Sequence, residues 1–297
     1  MSNPQSLTIE HYSRAEVQKE IAEFCKGRWM AAHCIDESGK LVFRRYLGGK
    51  PMAIKSEEEF ATLLKRLRNT ARAFYATANK YPTVEHIEDV DFSKAYRCTP
   101  TWDIDGTLQN WRETIAVARE ILSVLKNEGV EKSIYVKWSG NGCHIHIHED
   151  AISEAVLNKA HPLDFAYAIV EYINTKAMPK IIESLRAENV KVENRMDAGR
   201  VFTCPLSLHR QLDVVCVCLK PHEVDSFSPE WIQTSSFRHN LAWRDFQKGE
   251  ADALALKAYE AVGGYRMLTG KRRKAKSRRL DQQINEWLQK FKRLSPA

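Results

Sequence analysis

The sequence predicts an α/β fold, because strand-like and helical patterns alternate through the middle of the chain. Residues 133–138 (SIYVKW) and 143–148 (CHIHIH) are strand-like, and the turn between them, residues 139–142 (SGNG), contains two glycines. An amphipathic helix is predicted at residues 111–127. A further strand is predicted at residues 101–105 (TWDID), ahead of that helix. Strand, helix, strand, glycine turn and strand make a compact α/β unit.

Helix-start signals and a hairpin organise the N-terminal third. Ser13 and Ser56 each stand three residues before a glutamate, which fits the capping box at the start of a helix. The first of these helices is predicted to run to residue 26. Residues 29–35 and 41–46 predict a β-hairpin around the turn sequence DESG.

The same patterns continue toward the C-terminus. Pro179 is expected to kink or divide a long helix, because proline lacks the backbone N–H. The elements predicted here are helices at residues 162–188, 244–262 and 281–293 and strands at residues 190–193 and 214–219.

Composition excludes several classes of protein. The chain has 297 residues, of which 43% are hydrophobic, so it can bury a sizeable core. It contains no run of apolar residues long enough to span a membrane, and its first residues lack the apolar core of a signal peptide. Seven cysteines without C-x-x-C spacing argue against a disulfide framework. We expect a cytoplasmic protein with no membrane partner.

Positive charge is concentrated near the C-terminus. The formal net charge is +7, and residues 271–279 (KRRKAKSRR) alone carry seven positive charges. This segment is either a solvated linker or an arm in which Lys271, Arg272 and Arg273 contact phosphates. The remainder of the chain is balanced in charge.

Asp103 and Asp105 are the first candidate functional residues. Side chains two apart on a strand point the same way, and two like charges on one face repel. A divalent cation between them would remove the repulsion, since Mg²⁺ and Mn²⁺ prefer oxygen ligands. The alternative is a simple turn, because Asp and Gly are turn residues.

Three histidines follow the glycine turn. His144, His146 and His148 are predicted to share one strand face. They are candidates either to ligate zinc or to contact a triphosphate. A second candidate zinc site, formed by Cys216, Cys218 and flanking histidines, is less favoured than buried cysteines, because structural zinc ligands normally use wider spacings.

The segment that begins at Arg72 and includes Lys80 mixes aromatic and basic residues. Such a mixture holds single-stranded nucleic acid in other proteins. A buried strand with polar ends is the alternative.

Three motifs in order resemble the archaeo-eukaryotic primase superfamily, above all the small catalytic subunit of archaeal DNA primase and the primase–polymerases. They are the D-x-D of Asp103 and Asp105, residues 139–146 (SGNGCHIH), and the D-x-x-R-x-x-x-x-P-x-S-x-H of residues 197–209. The resemblance covers residues 72–219, about half of the chain.

The resemblance implies a two-metal site for Mg²⁺ or Mn²⁺ in which Asp103 and Asp105 are catalytic ligands. A third carboxylate is expected from a later strand: Glu193 is favoured by register and Asp197 by residue type. The implied contacts to the incoming nucleotide are Ser139, Gly140, Asn141, Gly142, His144, His146, Arg200, Ser207 and His209. The glycine loop is one residue shorter than the common form of the motif, and no cysteine-rich zinc stem is recognisable.

The implied activity is template-directed nucleotidyl transfer by a DNA primase or polymerase. Its partners would be a DNA template and primer, nucleoside triphosphates, and a primase large subunit or a repair partner. An end-joining repair polymerase is the alternative within this class. A non-catalytic nucleic-acid-binding accessory protein and a metal-dependent nuclease are alternatives from other classes.

The resemblance also refines the expected architecture. The catalytic half should be an open, largely antiparallel, RRM-like sheet with helices packed behind it. We expect a catalytic domain at residues 1–226, with an α/β portion at 1–95 and a core at 96–226. A helical appendage is expected at residues 227–297.

Overall fold

Helices and strands alternate along the chain. The structure, a computed structural model, describes residues 4–67, 70–185 and 190–265. The helices there are α1 Pro4–Ser13, α2 Ala15–Cys25, α3 Glu57–Arg66, α4 Trp111–Asn127, α5 Glu154–Leu157, α6 Pro162–Leu185 and α7 Asp252–Val262. The strands are β1 Met30–Ile35, β2 Leu41–Arg44, β3 Tyr46–Leu47, β4 Lys50–Pro51, β5 Ala71–Thr77, β6 Asn79–Lys80, β7 Arg97–Cys98, β8 Thr101–Asp105, β9 Ile134–Trp138, β10 Cys143–Ile147, β11 Lys191–Glu193, β12 Val201–Thr203 and β13 Val217–Leu219.

Two antiparallel sheets form the framework. The larger sheet has the strand order β11-β8-β10-β9-β13, and the smaller has the order β12-β5-β1-β2. All of their strand pairs are antiparallel. The predicted α/β fold with a largely antiparallel sheet is confirmed.

The larger sheet has one polar face and one apolar face, and strand β8 contributes side chains to both. Asp103 and Asp105 share the first face, because side chains alternate along a strand. Trp102 and Ile104 point to the opposite face and are 0% and 1% exposed. Helices α4 and α6 contact β8. The apolar face thus packs against helices, which leaves the carboxylates on the face that meets the smaller sheet.

The N-terminal hairpin and the helix after it form as predicted. In the hairpin turn, Asp36 Oδ1 accepts hydrogen bonds from the backbone N–H groups of Ser38 and Lys40, both at 2.9 Å. At the start of α3, Ser56 Oγ accepts from the N–H of Glu59 at 3.3 Å. These side chains satisfy backbone donors that would otherwise lack a partner.

Two predicted helix boundaries are wrong, and Pro179 does not divide its helix. Ser13 ends α1 instead of starting a helix, and its Oγ donates to Glu10 O at 2.7 Å. Pro179 lies inside α6, which continues to Leu185. A kink at Pro179 stays a prediction. The helix predicted at residues 244–262 begins only at Asp252, because Gly249 has a φ of 81°, which is incompatible with a right-handed helix.

The predicted helix at residues 281–293 and the basic segment with Lys271, Arg272 and Arg273 lie outside the described residues. Contacts group Met1–Gly264 into one unit and Tyr265–Ala297 into a second. The functional division at residue 226 stays a prediction. None of the helices in the described ranges is long and apolar enough to cross a membrane.

Candidate active site

One row of side chains crosses the larger sheet and defines the candidate active site. Asp103 on β8 is paired in register with His144 on β10 and with Glu193 on β11. Lys137 on β9 follows in the row, opposite His144. Residues paired directly across antiparallel strands share a face, with Cβ atoms about 4.5–5.5 Å apart. Strands that are distant in sequence therefore bring two carboxylates and an imidazole together, with Asp105 two residues further along β8.

Asp103 is the most enclosed carboxylate of this group, at 5% exposure. Its Oδ1 lies 3.2 Å from His144 Nε2, and its Oδ2 pairs with the guanidinium of Arg200. Burial by itself raises the pKa of Asp103, but the hydrogen bond from His144 and the charges of Arg200 and Arg195 outweigh it and lower that pKa. Asp103 is therefore ionised at neutral pH.

His144 is held as a neutral imidazole. Burial lowers its pKa and outweighs the opposing effects of the hydrogen bond and charge of Asp103. Because the carboxylate accepts at Nε2, the proton is on that nitrogen, and Nδ1 is buried without a hydrogen-bond partner. The imidazole thus fixes the position of Asp103.

Arg195 contacts all three carboxylates of the site. Its guanidinium nitrogens lie 3.6 Å from Asp103 Oδ2, 2.9 Å from Asp105 Oδ2 and 2.6 Å from Glu193 Oε2. No motif in the sequence predicted this residue. A signal was present, because Arg195 stands two residues after Glu193, the spacing that places side chains on the same side of an extended chain.

The two other carboxylates are more accessible than Asp103. The Asp105 side chain is 54% exposed, and its pKa is raised by partial burial and by the negative charge of Asp103. The Glu193 side chain is 28% exposed. Burial raises its pKa, but Lys191 and Arg195 more than compensate, so the net shift is downward.

Glu193 and Asp197 occupy different places. Glu193 lies beside Asp103 in the sheet, whereas Asp197 follows β11 and closes a turn, with its Oδ1 accepting from the N–H of Gly199 at 2.8 Å. Burial lowers the pKa of Arg45, and the negative charge of Asp197 opposes this shift. Of the two candidates for the third carboxylate, Glu193 is the one that shares Arg195 with the D-x-D pair.

The glycine turn lies against the end of β8. Ser139 donates its backbone N–H to Gly142 O at 3.0 Å and closes the turn. A Cβ added to Gly142 would lie 2.2 Å from Ile104 O, so only glycine allows this approach. Gly140 has a φ of 123°, and a Cβ there would lie 2.8 Å from the ring of His209. Asn141, between the glycines, is exposed.

His209 borders the turn on its other side. Its Nδ1 accepts from the N–H groups of Gln211 and Leu212 at 3.2 and 3.0 Å, so the ring proton is on Nε2. Ser207 is 0% exposed, and its Oγ accepts from the N–H of Phe74 at 2.8 Å. His209 thus carries a donor next to the turn, while Ser207 anchors the segment to β5.

His146 and His148, the other two histidines predicted to share a strand face, do not converge with His144 on a common point. His146 is 1% exposed, stacks on Tyr135 at 4.7 Å, and bonds to Thr101 Oγ1 through Nδ1 at 2.8 Å. Strand β10 ends at Ile147, so His148 lies beyond the strand and caps the next turn. The three-histidine zinc hypothesis is wrong, because within the described ranges the one group of three ligand atoms within 4.8 Å of one another contains His148 but neither His144 nor His146.

That group consists of His148, Glu149 and Asp150. Its two carboxylates are already paired with arginine or lysine. Glu149 Oε1 lies 2.7 Å from Arg28 and 3.1 Å from Lys80, and Asp150 pairs with Arg97. These ion pairs neutralise the group without a metal.

Arg72 and Lys80, the two described residues among those proposed for nucleic acid, are engaged within the protein. Arg72 is 4% exposed and donates to His209 O, Leu212 O and Asp213 Oδ1, which holds the loop after His209 against β5. Lys80 forms the ion pair with Glu149 given above. The alternative interpretation, a buried strand, describes β5. A contact of Arg72 or Lys80 with nucleic acid stays a prediction.

Lys137 is a further residue that no motif in the sequence predicted. It is 0% exposed, and its Nζ donates to Thr203 O at 2.8 Å, which ties the larger sheet to β12 of the smaller one. The ring of Phe202, the neighbour of Thr203, contacts His144 at 5.1 Å between centroids. Cys216 and Cys218 are 0% exposed and have free thiols, as expected of buried cysteines.

Comparisons with known proteins place the fold. No family model matches the chain. No curated protein sequence matches it either. Among solved structures, a polymerase domain from Mycobacterium tuberculosis ligase D, solved in complex with DNA, is similar at a TM-score of 0.52. The similarity covers 87% of this chain and 89% of that one at 15% identity. The chain therefore shares the overall fold of that polymerase domain.

Proposed function

We propose that this protein is a template-directed nucleotidyltransferase, a DNA polymerase or primase of the archaeo-eukaryotic primase superfamily. The observation that carries the proposal is the convergence of Asp103, Asp105 and Glu193 on one cationic group beside a glycine turn. Three motifs in the order typical of the superfamily and the fold shared with a polymerase domain support it.

The residues present fit divalent cations. The donors are carboxylate oxygens, the ligands that Mg²⁺ and Mn²⁺ prefer, and all three carboxylates contact the guanidinium of Arg195. The guanidinium lies between them, and in the described ranges their oxygens are not all within 4.8 Å of one another. Asp103, Asp105 and Glu193 would hold the ions. When bound, two such ions lower the pKa of a primer 3′-hydroxyl and stabilise the charge on the pyrophosphate that leaves.

The chain's own side chains and backbone would orient the nucleotide. Gly140 and Gly142 let the turn pack closely against His209 and the end of β8. Backbone N–H groups in such a glycine turn would bind phosphate oxygens. His209 offers its Nε2–H beside this turn, and Arg200 offers a guanidinium next to Asp103. His144 keeps Asp103 in place, and the buried His146 has no part in the proposed contacts.

An end-joining repair polymerase is the second candidate within this class. The similarity to a polymerase domain from ligase D supports a repair polymerase and does not distinguish it from the primase type. The two candidates share the site described above and differ in whether synthesis requires a primer.

Primer extension tests the proposal. A labelled primer on a DNA template, with Mn²⁺ and nucleoside triphosphates, should be lengthened by the wild-type chain. The double substitution Asp103→Ala with Asp105→Ala should reduce incorporation by about a thousandfold, because it removes electrostatic stabilisation of the transition state. Circular dichroism should show that the variant remains folded.

Two further variants make the result interpretable. Asp105→Asn changes a half-exposed side chain and should lower activity without affecting the fold. Asp225→Asn removes a carboxylate that is 65% exposed and paired with Arg119, and it should have no effect. Full activity of the double variant would contradict the mechanism.

The same assay separates the alternatives. A primer that is shortened indicates a nuclease, and one that is bound but unchanged indicates an accessory protein. Products formed without a primer indicate priming. Products formed only when a primer is present indicate extension.

A further inference from the structure

The guanidinium of Arg195 stands where the three carboxylates of the site meet. Besides the contacts given above, its Nε donates to Glu193 Oε2 at 2.7 Å. Its side chain is 33% exposed, and the residue stands two positions after Glu193, the last residue of β11. Arg195 can therefore leave the carboxylates without breaking a strand pairing.

The negative side chains of the site are balanced in formal charge by positive side chains of the same chain. The carboxylates of Asp103, Asp105 and Glu193 face the cationic side chains of Arg195, Arg200 and Lys191. Three negative groups thus meet three positive ones. A divalent cation that enters this arrangement gains little attraction unless one of the cations withdraws.

We propose that Arg195 competes with divalent cations for the three carboxylates and is displaced from them when cation and nucleotide bind together. This inference rests on the proposed function and goes beyond it, because it assigns a role to a residue outside the three motifs. An incoming triphosphate offers the freed guanidinium several anionic oxygens, and arginine pairs well with phosphate.

Displacement predicts a coupling between the two ligands. Cations alone must break the ion pairs of Arg195, whereas cations with a nucleotide exchange those pairs for new ones. Binding of either ligand should therefore strengthen binding of the other by the same factor. Removal of Arg195 should strengthen binding of the cation alone and reduce the coupling.

Mn²⁺ titration of the full-length protein tests this without reference to activity. Free Mn²⁺ is measured by electron paramagnetic resonance for the wild type, Arg195→Gln and Arg119→Gln. Arg195→Gln should bind Mn²⁺ about tenfold more tightly, a factor within the usual range of couplings between sites. Arg119→Gln makes the same change of charge at a distant surface ion pair and should bind Mn²⁺ as the wild type does.

A second series identifies the site and guards against misfolding. Asp105→Asn in the Arg195→Gln background should abolish the tight Mn²⁺ site. Arg195→Lys retains the charge but lacks the planar fork of donors, and it should bind Mn²⁺ with intermediate affinity. In EDTA, Arg195→Gln should melt at a lower temperature than the wild type and recover more on addition of Mn²⁺.

An unreactive deoxynucleoside triphosphate analogue then measures the coupling. It should strengthen Mn²⁺ binding in the wild type by a larger factor than in Arg195→Gln. Equal or weaker Mn²⁺ affinity in both Arg195 variants, or an unchanged coupling, would overturn the inference. If wild-type protein lengthens primers while the affinities stay equal, the inference alone fails, and if it lengthens none, the proposed function fails.

Discussion

Single residues set the electrostatics of the site, and Asp103 carries the tightest constraints. It is enclosed, yet ionised, because an imidazole and two guanidinium groups surround it. Removal of any one of these partners leaves a buried charge less well compensated. The glycines of the neighbouring turn impose a steric constraint of similar strictness.

Gly142→Ala should disturb the site through the backbone. The new Cβ would lie 2.2 Å from Ile104 O, so the turn must move away from the strand that carries the D-x-D pair. We expect loss of most nucleotide incorporation and a decrease in the free energy of unfolding of about 1–3 kcal/mol. Primer extension and urea unfolding measure the two effects.

Gly129→Ala is the matched control. Gly129 also has a positive φ, of 86°, but nothing lies within 4 Å of its added Cβ. This variant should lose some stability and retain activity. Wild-type incorporation by Gly142→Ala would contradict the assigned role of the turn.

The sequence predicted part of this site for physical reasons that are local. The two-residue period of a strand placed Asp103 and Asp105 on one face, and it did the same for His144 and His146. The choice between Glu193 and Asp197 depends on which residue of β11 pairs with β8, and strand register is a long-range property. Arg195 was missed because its importance appears only when three distant carboxylates are assembled.

Far from the site, a buried acidic residue of α2 joins the N-terminal helices to the segment before α7. Glu20 accepts hydrogen bonds from His239 Nε2 at 3.0 Å and Trp243 Nε1 at 2.8 Å, and it pairs with Arg244 at 2.5 Å. Burial raises its pKa, but these donors outweigh burial and lower the pKa to about 2. One side chain thus fastens the segment before α7 to the N-terminal helices.

Glu20→Ala should lower the free energy of unfolding by about 3–5 kcal/mol, since it leaves buried donors without a partner. Urea unfolding at neutral pH provides the measurement. Glu23→Ala removes a carboxylate on the same helix that is 35% exposed and pairs with the same arginine, and it should cost less than about 1 kcal/mol. Equal losses of unfolding free energy in the two variants would contradict the prediction that the buried network stabilises the fold more than the exposed ion pair does.

The presence of helices and strands was predicted from sequence better than the residues at which they begin and end. The hairpin, the strands of the larger sheet and α4 follow from side-chain periodicity, which is a property of the segment itself. The start of α7 was placed too early because the left-handed Gly249 cannot be recognised among residues with good helical periodicity. Ser13 fits a capping box in sequence, yet it ends α1.

The whole molecule contains several histidines that burial keeps neutral. Burial lowers the pKa of His11 to about 4, against the effect of its hydrogen bond to Leu206 O, and the charges of Arg14 and Arg72 lower it further. The pKa of His209 is also lowered to about 4, chiefly by burial. Protonation of such groups favours the unfolded chain.

Acidification should therefore destabilise the protein between pH 6.5 and about pH 4. The unfolded chain binds protons at its histidines once the pH falls below about 6.5, whereas folded His11 does so only near 4, so stability is lost as the pH falls through this window. For His11 alone the loss is on the order of 3 kcal/mol at the lower end. Urea unfolding at a series of pH values gives the slope.

His11→Gln should flatten this dependence, because the amide can donate to Leu206 O and does not titrate. Buried carboxylates such as Glu20 lose their contribution only at lower pH, below their ordinary pKa. Stability that is unchanged between pH 7 and pH 5 in the wild type would contradict the prediction.

The position of Glu193 has a consequence for local opening. Among the described strands, β11 is three residues long, forms one edge of its sheet and pairs only with β8. Short edge strands open with less free energy than central ones, so the amide proton of Val192 should exchange with deuterium faster than that of Ile145 in the sheet interior. Glu193 can thus detach while Asp103 and Asp105 stay in place, and the proposed catalysis would be interrupted reversibly without global unfolding.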